Sequence, residues 1–167
     1  NGSIGKSLIE DDFLSLALEI LEKAKEKKVH IHLPVDALCC KEFNNDSPTK
    51  TRAINEIPNN EMGLDIGTES IKLFSDIIEK SALILWNGPM GVFEMNNFQI
   101  GTLSIANAIV KATKNNAFSL IGGGDSVAAI NLFKLADKVS HVSTGGGAML
   151  EYLEGKELPG IKSIKSS

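Results

Sequence analysis

The chain has 167 residues, of which 43% are hydrophobic and 23% charged, and its formal net charge is −4. These values are typical of one soluble domain that can bury a substantial core. The acidic balance and the scattered lysines argue against a nucleic-acid partner, and no apolar stretch is long enough to predict a membrane span.

The first part of the chain predicts a helix, a strand and a polar excursion. Apolar residues recur at spacings of three and four over residues 10–27, which predicts an amphipathic helix. Residues 29–33 alternate between apolar and polar, which predicts a strand with His30 and His32 on one face. Two such imidazoles could chelate a metal, but no third ligand is visible nearby, so we favour a half-exposed strand face. Residues 41–60 are polar and rich in turn signals, which predicts an irregular excursion or a short hairpin.

The rest of the chain alternates between helix and strand. The predicted helices cover residues 68–80, with Thr68 as the N-cap, 98–114 and 126–135, and a further helix begins after residue 145. The predicted strands cover residues 82–86 and 117–121 and a short segment near His141. Strands separated by helices predict an α/β fold with a doubly wound parallel sheet, and such sheets bind ligands at the carboxyl ends of their strands.

The two cysteines, Cys39 and Cys40, are neighbours in the sequence. Adjacent residues are poorly placed for an ordinary disulfide, so the simplest interpretation is two free thiols in a reducing compartment. The first residues do not have the pattern of a signal peptide. We therefore expect a cytoplasmic protein.

Three glycine-rich loops follow the predicted strands. Loop A covers residues 87–94, loop B residues 122–126 and loop C residues 143–148. Glycines bring bare backbone amides close to a phosphorylated ligand, and a following helix adds its free N–H groups. Three such loops at one edge of a sheet predict a nucleotide or phosphate site.

The side chains of these loops have alternative interpretations. Asp125 is a short carboxylate that suits Mg²⁺ or caps a helix, and Glu94 accepts ribose hydroxyl protons or is a surface acid. Loop C suits an oxygen-rich transferring group or is a simple turn. His141, just before loop C, is a structural histidine or a group behind the site, and we favour the structural role.

Further motifs connect the loops to a known family. Together with the segments 33–36, 62–67 and 153–160, the three loops resemble the C-terminal half of phosphoglycerate kinases. The resemblance extends over essentially the whole chain. Glu61 stands where this family often has a tryptophan, which leaves the conformation near the nucleotide base open.

The resemblance implies a Rossmann-like doubly wound domain that is incomplete. Residues 1–167 would form part of a C-terminal nucleotide-binding domain, because the first strands of that domain and the whole N-terminal domain have no counterpart here. The tail over about residues 158–167 is expected to pack on the N-terminal domain.

The resemblance also implies which residues carry the chemistry. The nucleotide, ATP or ADP with Mg²⁺, is expected to contact Gly63, Leu64, Asn87, Pro89, Gly91, Val92, Glu94, Gly123, Gly124, Asp125 and Ser126. Of these, Gly63 and Leu64 would lie against the base, Glu94 would bind the ribose and Asp125 the metal. The glycines expected in a catalytic role, beside the transferring phosphoryl group, are Gly123, Gly124, Gly145, Gly146 and Gly147.

For the complete protein, the resemblance implies reversible phosphoryl transfer between ATP and 3-phosphoglycerate, or from 1,3-bisphosphoglycerate to ADP in glycolysis. The acceptor would bind through the N-terminal domain, and the complete protein is expected to be a monomer. The chain by itself is predicted to be inactive, since its single arginine, Arg52, lies in the polar excursion. Two alternatives stay open, namely a nucleotide-binding module without transfer activity and a structural fragment that self-associates through an uncovered sheet edge.

Overall fold

The computed structural model describes residues 2–165. Its strands are β1 Ser3–Ile4, β2 Asp36–Cys40, β3 Lys50–Ala53, β4 Glu56–Ile57, β5 Met62–Ile66, β6 Leu83–Trp86, β7 Phe118–Ile121 and β8 His141–Val142. Its α-helices are α1 Leu14–Glu26, α2 Thr68–Ile78, α3 Ile100–Lys114, α4 Gly124–Leu132, α5 Gly146–Leu153 and α6 Pro159–Lys165. Short 3-10 helices cover Asp11–Phe13, Asn96–Phe98 and Ala136–Lys138.

The second half of the chain forms a parallel sheet covered by helices. The strands lie in the order β6-β7-β8, with Trp86 opposite Ile121 and Leu120 opposite His141. Each strand is followed by a helix, and the side chains of α3 and α4 pack on the sheet around Ile109 and Ile130, which are fully buried. The predicted α/β class is confirmed, and the three predicted strands and their helices lie within a few residues of their expected bounds.

The first half contains strands that the sequence pattern did not indicate. Strand β2 pairs antiparallel with β3 on one side and β5 on the other, and β1 pairs with β4 in a separate parallel ladder. Strand β3, which lies in the polar excursion, therefore forms a hairpin with β2, in which Cys39 lies opposite Lys50. Cys39 and Cys40 are free thiols buried in β2, and burial raises the pKa of Cys39 to about 11.

Helix α1 forms as predicted, but the strand predicted after it does not. Residues 29–34 have no regular structure, and Val29, Ile31 and Leu33 are 58%, 40% and 60% exposed. A strand is stabilised by hydrogen bonds to a neighbouring strand, and among residues 2–165 none pairs with this segment. Helix α1 likewise buries no side chain. The alternating pattern by itself is therefore not enough to form a strand here.

The N-terminus of α2 is capped by an aspartate from a distant strand, and not by Thr68. Both carboxylate oxygens of Asp36 accept hydrogen bonds from amides in the first turn, at 3.1 Å from Glu69 and 2.8 Å from Ser70. The carboxylate occupies the space of a Cβ at Gly67. Burial opposes ionisation, but the hydrogen bonds from Ser70 and Glu69 leave the pKa of Asp36 below its ordinary value. Its stabilising contribution is therefore present at neutral pH and is lost as the pH falls through that lowered pKa.

The hydroxyl of Ser70 connects α2 to β2, and its loss is expected to destabilise the fold. The fully buried Oγ accepts hydrogen bonds from the amides of Val35 and Asp36 and lies 2.6 Å from the Asp36 carboxylate. Ser70→Ala leaves both amides without this acceptor, so we expect it to lower the free energy of unfolding by about 1–3 kcal/mol in urea titrations. Ser75→Ala, in the same helix, removes a hydroxyl that has no partner among the described residues and should change stability little. Equal effects of the two substitutions would contradict this role of Ser70.

None of the helices within residues 2–165 is long and apolar enough to cross a membrane. On the parallel sheet, β6 pairs only with β7 among these residues, so no described strand pairs with its other edge. The expectation that the tail packs on another domain stays a prediction. Its described part forms α6, and residues 166–167 lie outside the described range.

Candidate nucleotide site

The three glycine-rich loops start side by side at the carboxyl edge of the parallel sheet. The amide of Gly122 donates a hydrogen bond of 2.9 Å to the carbonyl of Trp86, where loop A begins. The amide of Ser143 donates one of 2.8 Å to the carbonyl of Ile121, where loop B begins. The ladder therefore continues into the loops and sets their order as A, B and C.

Loops B and C pack against each other backbone to backbone. A Cβ on Gly146 would lie 2.6 Å from the amide nitrogen of Gly123 and 2.8 Å from its Cα. Gly123 has a φ of +86°, and a Cβ there would collide with the side-chain oxygen of Asn87 in loop A. Glycine is therefore needed at both positions for the three loops to meet. This contact brings Asn87, Gly123 and Gly146 together, as the prediction of one site requires.

The N-termini of two helices lie at this junction. Helix α4 begins at Gly124 and α5 at Gly146, and the first amides of a helix have no acceptor within the helix itself. A Cβ at Gly124 or Gly147 would meet no atom within 4 Å, so the space beside both glycines is open. The site therefore combines unpaired donors, two positive helix ends and room for a ligand.

Two carboxylates of loops A and B are exposed. Asp125 lies in the first turn of α4 and Glu94 at the end of loop A, and among residues 2–165 neither side chain has an ion pair or a hydrogen bond. Ser126, by contrast, is fully buried and its Oγ accepts a 2.6 Å hydrogen bond from the amide of Gly88. Ser126 thus connects α4 to loop A, while Asp125 and Glu94 are free to bind a ligand.

An open cavity of about 590 Å³ lies on the other side of loop A. Its wall includes five residues that were predicted to contact the nucleotide, namely Gly63, Leu64, Pro89, Gly91 and Val92. Asn87 touches loop B and Pro89 lines the cavity, and two residues span at most about 7 Å. Loop A therefore belongs both to the glycine junction and to the cavity.

Two side-chain contacts hold the start of β5, whose residues line the cavity. The Oγ of Ser7 accepts a 3.1 Å hydrogen bond from the amide of Gly63. Glu61, just before β5, forms two hydrogen bonds of 2.7 and 2.8 Å with Arg52 on β3. This hydrogen-bonded pairing lowers the pKa of Glu61 and raises that of Arg52. The unusual acid at position 61 thus pairs with the single arginine of the chain.

The three histidines lie outside the junction and the cavity wall. His30 and His32 are exposed, with ring centroids 6.2 Å apart and planes 29° apart. The part of the chain that the structure describes contains no group of three or more His, Cys, Asp or Glu side chains arranged to hold a metal. His141 is exposed on β8. His30 and His32 lie in the segment that forms no strand, so the strand face expected for them is not observed, and the structural role favoured for His141 stays a prediction.

The sequence and the fold can now be compared with known proteins. A family model described as phosphoglycerate kinase matches residues 1–156. The chain belongs to the phosphoglycerate kinase family. Two relatives named phosphoglycerate kinase are those of Porphyromonas gingivalis, 56% identical over 164 residues, and Thermosipho africanus, 55% identical over 163 residues. The matches cover 98% and 97% of this chain, but only 39% and 40% of the relatives.

Solved structures of phosphoglycerate kinases agree with this assignment. The structure from Coxiella burnetii matches with a TM-score of 0.91 at 43% identity, covering 97% of this chain and 41% of that one. The structure from Pyrococcus horikoshii matches with a TM-score of 0.77 at 32% identity, covering 92% and 36%. The chain therefore has the fold of part of a phosphoglycerate kinase.

Proposed function

We propose that the chain is the nucleotide-binding part of a phosphoglycerate kinase, which transfers a phosphoryl group reversibly between ATP and 3-phosphoglycerate. The observation that supports this most strongly is the junction of Asn87, Gly123 and Gly146, which joins three glycine loops and two helix N-termini in a chain of this family. Phosphoryl transfer depends on positioning and on stabilising charge spread over oxygen atoms. Unpaired amides that converge on one point meet that need.

The nucleotide is proposed to lie across loop A. The cavity beside Leu64 and Val92 suits a flat apolar base, and the exposed carboxylate of Glu94 suits ribose hydroxyls. The phosphates would then extend past Asn87 to the first amides of α4 and α5. Gly124, Gly145 and Gly147 leave open space for them, and Gly123 and Gly146 supply the closely packed backbone around it.

Mg²⁺ is the proposed cofactor, and Asp125 is the residue proposed to hold it. Mg²⁺ is usually bound by one or two carboxylates together with phosphate oxygens and water. Asp125 fits this donor set, because its exposed carboxylate lies in the first turn of α4, beside the amides proposed for the phosphates. The bound ion would supply positive charge that stabilises the transferring group.

The acceptor is proposed to bind outside the described residues. A triply charged phosphoglycerate calls for cationic side chains, and the one arginine of this chain is paired with Glu61. The chain covers about 40% of its relatives, so most of a complete protein would be available for that task. We propose that 3-phosphoglycerate or 1,3-bisphosphoglycerate is bound by an N-terminal domain, that closure of the two domains excludes water, and that the complete protein is monomeric.

A coupled assay of the full-length protein that carries this chain tests the proposal. With ATP, Mg²⁺ and 3-phosphoglycerate we expect turnover that requires all three, measured through consumption of 1,3-bisphosphoglycerate by a coupling dehydrogenase. Binding of MgADP without any turnover would favour a nucleotide-binding module and overturn the kinase assignment. A protein that shows neither binding nor turnover would contradict the nucleotide site itself.

A further inference from the structure

Loop A is fixed to the rest of the domain by a small buried network that the proposed chemistry does not include. The amide of Val92 donates a 2.8 Å hydrogen bond to the carbonyl of Leu64 on β5. The amides of Met90 and Gly91 donate to the Oγ1 of Thr102 on α3, at 3.1 and 3.2 Å. Three consecutive loop residues thus bond to two different elements, and all three line the cavity.

The carboxylate of Asp65 lies at the centre of this network. A Cβ on Gly91 would lie 2.6 Å from its Cγ, so loop A passes directly over the carboxylate. One carboxylate oxygen accepts a 2.7 Å hydrogen bond from the amide of Gly101, and the other accepts a 2.8 Å bond from the amide of Ile66. A Cβ at Gly101 would also collide with the carboxylate. The backbone is therefore shaped around Asp65 from both α3 and loop A.

Asp65 lies in a place where ionisation is costly. Its side chain is 4% exposed, and burial raises the pKa to about 6 although the two amide bonds favour the charged form. No ionisable side chain among the described residues contributes to that pKa, because the groups facing it are Gly91, Gly101 and Ile66. Since the folded pKa is above the unfolded one, the ionised group opposes folding as the pH rises above its ordinary pKa of 3.8, and the full cost is present above about pH 6. The role of Asp65 is therefore better explained by the backbone of loop A and α3 that it holds in place than by a contribution to the stability of the fold.

We propose that Asp65 and Thr102 are positioning residues for the nucleotide, because they fix the position of Gly91 and Val92 relative to the base. This inference rests on the proposed function. Thr102 holds the loop through its hydroxyl, and Asp65 holds the start of α3, which carries Thr102, at the correct distance from β5. Neither side chain is proposed to touch the nucleotide.

Substitutions at Thr102 distinguish a role in positioning the nucleotide from a role in stability alone. In the full-length protein we expect Thr102→Val, which keeps the shape but lacks the acceptor, to raise the Kd for MgADP by about tenfold. Thr102→Ser keeps the hydroxyl and should restore the Kd to within about twofold of the unmodified protein. Ser119→Ala is the matched control, because Ser119 is a fully buried hydroxyl bonded to Ser140 and Thr113 at the opposite end of the sheet.

The control distinguishes the outcomes. Ser119→Ala should lower the melting temperature while leaving the Kd for MgADP unchanged. A Kd for Thr102→Val that equals that of the unmodified protein would overturn the proposal while leaving the proposed function intact. If the unmodified protein fails to bind MgADP, both the proposed function and this inference are overturned.

The pH dependence tests Asp65. Asp65→Asn is neutral at every pH, whereas Asp65 loses its charge as the pH falls through about 6. A neutral acid is a weaker acceptor for the amide of Gly101. The ratio of the Kd of Asp65→Asn to that of the unmodified protein should therefore be large at pH 7.5 and fall towards one at about pH 5. Taking the ratio cancels the titration of the nucleotide, and a ratio that does not change with pH would overturn the role of the ionised carboxylate.

Discussion

Replacing Asp125 with alanine in the full-length protein is expected to reduce the rate of phosphoryl transfer by about 100- to 1,000-fold. Asp125 is the exposed carboxylate in the first turn of α4 and the residue proposed to hold Mg²⁺. Its loss removes the protein's hold on the cation, and the transferring group then loses aligned positive charge. The measurement is kcat in the coupled assay at saturating ATP and 3-phosphoglycerate, with a Mg²⁺ titration to detect a weaker requirement for the metal.

A second aspartate supplies the control for Asp125. Asp137 is exposed in a short 3-10 helix that lies outside the glycine junction. Asp137→Ala should leave kcat within about twofold, since surface substitutions away from a site change little. If Asp125→Ala kept more than about a third of the activity, the assignment of Asp125 as the metal ligand would be wrong.

Adding one methyl group at Gly146 is expected to have the second largest effect. The new Cβ of Gly146→Ala would lie 2.6 Å from the backbone nitrogen of Gly123, and backbone cannot rotate away as a flexible side chain can. Loops B and C must separate, at a cost of about 1–3 kcal/mol in stability. A displacement of about 1 Å in the positioning groups costs about 100-fold in rate, so kcat should fall by at least that factor.

The adjacent glycine is a matched control. A Cβ on Gly147 meets no atom within 4 Å, so Gly147→Ala should fold with unchanged stability. Any loss of activity in Gly147→Ala then reports how closely the phosphoryl group approaches α5, without a change in loop packing. Thermal unfolding and coupled assays of the two variants together make this comparison. If Gly146→Ala were as stable as Gly147→Ala, the contact between loops B and C would not hold the site together.

The parts of the fold that could be predicted are those with strong local signals. Helix α3 and strands β6 and β7 have long apolar patterns bounded by turns, and the glycine loops mark where the strands end. Their order in the sheet follows from the general preference for parallel strands joined by helices. The adjacency of Asn87, Gly123 and Gly146 follows in turn from that order.

The parts that could not be predicted depend on distant partners. The short strand β2 contains an aspartate and two cysteines, so its pairing with β5 is set by contacts far along the chain. Asp36 caps α2 from more than thirty residues away, and no local pattern distinguishes it from Thr68. The strand predicted at residues 29–33 is wrong for the opposite reason, because its alternation is clear but no described strand pairs with it.

The same limit applies to the candidate site. Gly91 and Asp125 could be selected from loop sequences because glycines and acids in such loops have recognisable chemistry, whereas Val92 was implied only by the resemblance to the family. Asp65 and Thr102 could not, since each lies in an element that otherwise predicts core packing. An aspartate inside the run Met62–Ile66 is the one signal that could have drawn attention to Asp65.

A crystal structure of the full-length protein with MgADP would test the nucleotide site most directly. We predict the base in the cavity beside Leu64 and Val92, the ribose at Glu94, the phosphates at the first amides of α4 and the metal ion on Asp125. A nucleotide bound elsewhere, with the junction of loops A, B and C unoccupied at saturating MgADP, would contradict the account.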